Sequence, residues 1–431
     1  MNSKFVPKPL LDLDHALTEL KGFATPLLET QMVSTFDVDN RVLREAVVSA
    51  LNVPPNDNSA MDGYALNAQD ASVQGSVLKV TQRIPAGSVG VPLSRGEAAR
   101  IFTGAPIPKG ATAVVAQEEC EALQGDIVKV NASVTSGQCI RLAGEDIKKG
   151  GLVIESGSRL NSASLGIAAS LGFKELCVSK APKVALFSTG DELVMPGDIP
   201  PEQMGEGKIY NSNRFFLKSL LNRAGCVVTD MGNIPDDLEQ TKRCLAQAAL
   251  DHDLILTSGG VSVGEEDHIK PSVIALGVLH QWALNIKPGK PFAYGRIHRA
   301  NKKLGENASD QTPSSNENYA HFIGLPGNPV SSYATFMLLV QPFLSFLQGQ
   351  ASVKYRHIPM RANFEWLKAD RRREFLRVRQ NDQGTLELFQ NQSSGVLTSV
   401  VWGDGVVDNP PNTIIKSGDL VNFIPFDSFL R

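Results

Sequence analysis

The chain of 431 residues carries 42 Lys and Arg against 45 Asp and Glu, a net charge of −3, with 42% hydrophobic residues; this length predicts about two to four domains with ample core, and so small a charge argues against bulk nucleic-acid binding. No apolar run approaches the roughly 18 residues of a membrane span and the N-terminus lacks the basic-then-apolar layout of a signal peptide, so a cytoplasmic protein that meets no membrane is expected. The five cysteines (120, 139, 177, 226 and 244) form no CxxC pair and the seven histidines are scattered, which indicates neither a disulfide framework nor a zinc knuckle and leaves oxygen as the ligand for any metal.

In chain order, Leu13, Ala16, Leu17 and Leu20 recur at i, i+3, i+4 and i+7 and predict a short amphipathic helix within residues 10–21. Residues 51–160, rich in Gly, Pro, Val and Thr with alternating stretches such as VLKV and DIVKV, predict a β-rich domain with many turns. Within it, NVPPNDNSAMDGYAL (52–66) gathers Asp57, Ser59 and Asp62. Two readings stand: Asn and Asp capping their own turn, or acids meeting a metal or a cationic group. RIFTGAPIPKGATAVV (100–115) sets Thr103-Gly104 before two stiffening prolines, either an anion-binding turn or a structural one. IRLAGEDIKKGG (140–151) clusters Arg141, Glu145 and Asp146 beside glycines, which a salt-bridged hairpin also explains.

From 182 to about 348 the pattern alternates: KVALFSTG, NSNRFFLKSLLNRAG, CVVTDMG, a helical run through Leu250, then DLILTSGG. Apolar strands separated by helical stretches predict an α/β sheet with crossover helices. Two strands open into glycine turns, Ser188-Thr189-Gly190 and Ser258-Gly259-Gly260, the second running on through Ser262 and Gly264. Small residues at strand ends let backbone N–H groups approach a phosphate. Acids follow at once, Asp191 and Glu192 in one turn and Glu265, Glu266 and Asp267 in the other, and acid beside phosphate suggests a divalent metal between them.

Further on, IKPGKPFAYG (286–295) holds Lys287 and Lys290 before prolines; fixed ammonium groups suit an oxyanion, and two solvated turn lysines are the plainer reading. Residues between Gly295 and His321 form a polar interruption with little to bury, expected to be a mobile loop between two strands. GLPGNPVSSYATF (324–336) is a strand-turn-helix junction in which Asn328 can cap, Pro329 suits the first turn and Ser331 adds a hydroxyl at a helix start that attracts anions. After Gln350 the sequence returns to short strands (REFLRVRQ, GTLELF, TIIKSGDLVNFIPF), the first of which carries, in RRREFLRVR (371–379), an arginine cluster of Arg372, Arg373 and Arg377 that is either a solvated face or a fork for an oxyanion.

NSAMDGYA, RIFTGAPIP, GEDI, LFSTGDEL, TSGGVSVGEEDHIK, KPGKPFAYG and LPGNPVS, in this order, resemble the molybdopterin molybdenumtransferase family, the bacterial MoeA-type enzymes and the related E domains of gephyrin and plant cofactor proteins. The likeness spans nearly the whole chain. It implies a multidomain α/β plus β fold: a central molybdopterin-binding-type domain (1–26 with 181–350) with a mostly parallel sheet, a linker domain (27–50 with 151–180), a β-rich N-terminal domain (51–150) reaching a partner subunit, and a small C-terminal β-barrel-like domain (351–431). It implies an enzyme that inserts molybdenum from molybdate into adenylylated molybdopterin, with Mg2+ assisting and AMP released.

Carried over by motif, Glu192, Asp236 and Asp267 are the implied catalytic acids and metal ligands of the α/β domain, joined by Asp62 from the β-rich domain. Thr103, Arg141, Asp146, Ser188, Thr189, Gly190, Ser258, Gly259, Gly260, Ser262 and Gly264 are the implied substrate-binding residues. Lys287, Lys290, Pro326, Pro329, Ser331, Arg372 and Ser394 fall at the implied molybdate end, with Arg373 and Ser393 as alternatives to the last two. The resemblance also implies a homodimer with shared active sites and points to the molybdopterin adenylyltransferase as a candidate partner protein. The polar interruption before HFIGLPGNP departs from the family, which has a tight hairpin there. Rival readings are a molybdopterin adenylyltransferase or a CinA-like enzyme, each expected to lack NSAMDGYA, GEDI and the final β domain, and a non-catalytic gephyrin-like scaffold.

Overall fold

The computed structural model describes residues 10–261, 268–299, 318–351, 353 and 355–429. Helix α1 (Leu13–Phe23) starts where the Asp12 carboxylate accepts the Asp14 N–H at 2.9 Å, and it buries Leu13, Ala16 and Leu20, the stripe that its periodicity predicts. That stripe does not pack on the strands that follow it. It joins the core formed much later by Leu254, Leu256, Phe292, Tyr294, Leu339 and Phe343, and the Leu11 N–H reaches the Ala283 carbonyl at 2.8 Å.

The strand Thr30–Ser34 pairs antiparallel with Glu175–Ser179, across a small core of Val38, Leu43, Leu160 and Val178 completed by helix α2 (Ser162–Ser170). Between these two strands lies the β-rich region. Its sheet runs Ala113–Ala116, Gly63–Leu66, Glu97–Ile101, Ser76–Ile84, Ile127–Val130, Cys120–Leu123, antiparallel except between Glu97–Ile101 and Ser76–Ile84. Alternation along the strands sends Leu66, Ala98 and Val115 into one cluster and Ala65, Ala99 and Val114 into another, so both faces are covered.

The central sheet has the order Val227–Ile234, Lys183–Thr189, Leu254–Ser258, Tyr319–Leu325, Pro291–His298, Gly277–Ala283. The first four strands are parallel, and the last two are joined antiparallel to them. Leu254, Ile255 and Leu256 are all fully buried, as expected of a strand covered on both faces. Helix α3 (Ser212–Arg223) is capped by Asn211, whose side-chain Oδ1 accepts the Arg214 N–H at 3.2 Å, and it leads outward to Val227–Ile234. Helix α4 (Leu238–Asp251), capped by Asp237 on the Gln240 N–H at 2.7 Å, crosses back to the far side of Lys183–Thr189. The direction of winding therefore reverses between the carboxyl ends of Lys183–Thr189 and Leu254–Ser258, where an open α/β sheet leaves a crevice.

Helix α5 (Ile269–Leu276) precedes the antiparallel pair, and a long helix, Pro329–Leu347, closes the domain. Among the described residues this last helix alone has the length and apolarity of a membrane span, in a sequence where no such run is expected, but 83% of it is buried as the central core helix. Its middle turn, Phe336–Val340, is π-helical. The C-terminal sheet runs Ile286–Lys287, Arg373–Gln380, Gly405–Asn409, Leu420–Pro425, Ile358–Arg361, so a two-residue strand from the α/β part forms its edge. One face of it packs its own core around Leu376, Val378 and Val407, while Phe375, Val406 and Ile424 turn into the α/β core.

Candidate functional site

The two glycine turns meet at the switch point. Thr189 Oγ1 donates to the Ser258 carbonyl at 3.3 Å, and a methyl group added at Gly259 would stand 2.4 Å from Thr189 Oγ1 and 2.9 Å from its carbonyl oxygen. Gly190, Gly259 and Gly260 have φ of +132°, +94° and +69°. Backbones this close, in this part of conformational space, leave only glycine at the contact.

Around the junction opens a cleft of about 700 Å³. Of the residues implicated by sequence, Thr189, Gly190, Glu192, Asp236, Ser258, Gly259, Gly260, Pro326, Pro329 and Ser331 line it. Ser188 does not: it is buried behind the wall, where its hydroxyl accepts from Asn211 Nδ2 at 2.8 Å. The Glu192 carboxylate lies over Gly190, both of its oxygens within 2.6 Å of where a Cβ would be. Asp236 faces His268, Nε2 to Oδ1 3.3 Å, and both border the cleft. Ser262, Gly264 and Asp267 lie outside the described residues, as does most of the polar interruption.

Among the described residues no three His, Cys, Asp or Glu side chains gather as a ready-made ion site. Asp191, Glu192 and Asp236 nevertheless all border the cleft, and carboxylate oxygens without a thiolate suit Mg2+, which keeps several waters and takes one or two carboxylates plus phosphate oxygens. The donor set therefore fits a hard divalent cation.

Of the cleft residues not singled out from sequence, two bear directly on the site. Asn213 Nδ2 donates to Ser258 Oγ at 2.8 Å and to the Gly327 carbonyl at 2.7 Å, tying the second glycine turn to the LPGNP turn, while its buried Oδ1 has no partner among the described residues. His268 is the other. The NSN run at the start of α3 carried a signal, since polar residues at a helix start beside a strand end face the crevice. Its contacts with Ser258 and Gly327, 45 and 114 residues away, did not show.

The implied oxyanion residues divide. Pro326, Pro329 and Ser331 belong to the cleft wall, and the Ser394 carbonyl accepts the Val330 N–H at 2.9 Å, fastening the helix start to the C-terminal domain. Lys287 and Arg372 stand outside the wall in an ion cluster. Lys287 Nζ lies 3.3 Å from Asp370 and 3.0 Å from Glu374, and Arg372 holds Asp370 through Nε at 3.1 Å and Nη2 at 2.9 Å. The Arg372 fork, opposed in part by desolvation and aided by the Arg372 N–H, holds the Asp370 carboxyl well below the usual carboxylate range. Lys290 is exposed, and Pro291 beside it borders the cleft. Gly289 (φ +105°) brings this loop against the helix start: a methyl there would be 2.6 Å from Thr335 Cγ2. Arg373 instead forks onto Asp408, with Nε and Nη2 both at 2.6 Å.

Asp62, Thr103, Arg141 and Asp146 are all exposed and none borders the cleft of their own chain. Local pairing links Asp62 to Thr103 and seats Arg141 on the strand Asn58–Ser59. Asp62 Oδ1 accepts the Thr103 N–H at 2.8 Å and its hydroxyl at 2.7 Å, bonds that hold the Asp62 carboxyl below its ordinary value. The Gly104 N–H reaches the Ser59 carbonyl at 2.8 Å, Asn58 pairs with Arg141, and Asp57 accepts the Ala143 N–H at 2.8 Å.

Three family models match in succession: the MoeA N-terminal region (domain I and II) over residues 11–172, a probable molybdopterin binding domain over 185–345, and the MoeA C-terminal region (domain IV) over 359–426. A molybdopterin molybdenumtransferase of Haemophilus influenzae is 36% identical, the alignment covering 98% of this chain and 100% of that protein. Molybdopterin molybdenumtransferase 2 of Mycobacterium tuberculosis is 33% identical over 86% of this chain and 89% of its own length. The crystal structure of a molybdopterin biosynthesis moeA protein from Pyrococcus horikoshii OT3 superposes with a TM-score of 0.80 at 28% identity, covering 97% of this chain and all of that one.

Proposed function

We infer the chemistry of the cleft from a premise that the comparisons establish: the chain belongs to the MoeA family of molybdopterin molybdenumtransferases. Its activity is MoeA-type transfer, the insertion of molybdenum into molybdopterin. The finer reading is that the substrates are adenylylated molybdopterin and molybdate, that Mg2+ assists, that AMP leaves, and that two subunits in the cytoplasm share each site. The observation that carries it is the meeting of the Thr189-Gly190 and Ser258-Gly259-Gly260 turns at the switch point, where backbone N–H groups, hydroxyls and carboxylates converge on one cleft.

On this reading the glycine turns seat the phosphates, because only a bare backbone comes close enough to donate to them. Glu192 and Asp236, with Asp267, would hold Mg2+, which when bound supplies positive charge to the phosphoanhydride. Water adds to phosphorus, the P–O bridge breaks, AMP departs and the pterin keeps its phosphate. Asn213 holds the second glycine turn against the LPGNP turn, so the phosphate end and the helix start keep one spacing. Lys287, Lys290, Ser331 and Arg372 hold molybdate beside the pterin dithiolene, which captures the metal by proximity rather than through a covalent enzyme intermediate. Asp62, held ionised by Thr103, approaches from the partner subunit together with Arg141 and Asp146.

The test is molybdate-dependent AMP release from adenylylated molybdopterin. Glu192→Ala and Asp236→Ala, each with an unchanged melting transition, are expected to lower the rate by about 10²-fold or more, the scale of removing a positioned group from a reaction site. Wild-type rates in both variants would refute the assignment. Absence of AMP release by the wild-type protein would favour a scaffold.

A further inference from the structure

The ion cluster beside the cleft holds more carboxylate than an oxyanion site needs. Lys287 and Arg372 contribute two positive charges, and Asp370 and Glu374 return two negative ones. The two acids differ in how they are held. Glu374 is 1% exposed, sits within a strand in register with Lys287, and accepts Trp366 Nε1 at 2.7 Å and Asn409 Nδ2 at 3.5 Å. Three elements fix it. Asp370 precedes the strand, its side chain is 20% exposed, and among the described residues the partners of its carboxylate are Lys287 and the guanidinium and backbone N–H of Arg372. Its backbone is anchored separately, the Asn412 N–H bonding to the Asp370 carbonyl at 2.7 Å, so a turn of the carboxylate away from the two cations would leave the chain in place.

The position of that carboxylate is informative. It offers two oxygens to the guanidinium fork and turns one of them to the ammonium group, which is the pattern in which a tetrahedral oxyanion would engage the same two cations. We propose that Asp370 is an internal competitor for the oxyanion, so that molybdate enters Lys287 and Arg372 by exchange with a resident carboxylate. This rests on the reading that those two residues receive molybdate. Exchange sets selectivity as well as affinity. An entering anion replaces both the fork contact and the Lys287 contact, which an oxyanion with several oxygens does and a halide, with a single centre, does not. It also limits affinity, because only molecules with Asp370 withdrawn are competent; if these are about a tenth of the population, apparent affinity falls about tenfold.

Equilibrium dialysis of radioactive molybdate against the full-length protein at fixed ionic strength tests this, using Asp370→Asn, Asp370→Ser, Lys287→Ala and Arg372→Ala, each checked for a retained melting transition. Asp370→Asn and Asp370→Ser are expected to bind molybdate about tenfold more tightly than wild type and to become sensitive to chloride, while the two cation variants bind more weakly. If Lys287→Ala and Arg372→Ala weaken binding but both Asp370 variants bind no better than wild type, Asp370 is not a competitor. If the cation variants bind molybdate as wild type does, the oxyanion lies elsewhere and the underlying placement is wrong instead.

Discussion

At single positions the cleft depends on residues whose smallness is a steric requirement. Gly259→Ala combines a φ of +94° with a methyl 2.4 Å from Thr189 Oγ1, whereas Gly75, at φ +90°, has nothing within 4 Å of an added methyl. Gly75→Ala should therefore cost only backbone strain, about 1 kcal/mol, while Gly259→Ala adds the clash and should cost about 3 kcal/mol. Urea denaturation of both variants measures the difference, and equal costs would mean that the two turns are not in the contact described. Gly259 was legible in the sequence because its Ser-Gly-Gly turn opens from an apolar strand and acids follow it. Asp370 and Glu374 were not legible. A lone acid near arginines reads as a solvated ion pair, and only the parallel pairing of Ile286–Lys287 with Arg373–Glu374 brings Lys287 to them.

Among the elements, the strand Tyr319–Leu325 and the helix Pro329–Leu347 pack through a buried imidazole. His321 stacks edge-on against Phe343 at 5.0 Å and Tyr319 at 5.1 Å, meets the Tyr294 hydroxyl at 2.9 Å through Nδ1, and has no partner for Nε2 among the described residues. Burial, with Arg296 and Arg299 nearby, lowers its pKa from 6.5 to about 3. Between those values the unfolded chain binds a proton that the folded chain refuses, so this contribution to stability is full above pH 6.5 and is lost as pH falls toward 3. The urea midpoint should thus fall more steeply between pH 7 and pH 4 in wild type than in His321→Gln, whatever the variant's stability at neutral pH; parallel slopes would contradict it. The alternation of strand and helix in this region was readable because buried parallel strands are short apolar runs. The seam strand Ile286–Lys287 was not, since two residues joining a distant sheet leave no periodic trace.

On the scale of the whole molecule, the implicated residues form two groups that one chain does not bring together. Thr189, Glu192, Asp236 and Ser258 surround the cleft, while Asp62, Thr103, Arg141 and Asp146 lie exposed in the β-rich region. The order of motifs along the chain made both groups visible as family features, but sequence order carries no record of which copy supplies which group. A twofold dimer in which the β-rich region of one subunit closes the cleft of the other would unite them. Subunit mixing tests this claim most directly: Asp62→Ala and Glu192→Ala chains, each inactive alone, are co-expressed with different tags, and the heterodimer is isolated and assayed for molybdate-dependent AMP release. One of its two sites would then hold an intact Asp62 and an intact Glu192, so about half of the wild-type activity is expected to return. A heterodimer as inactive as its parents would contradict the shared site.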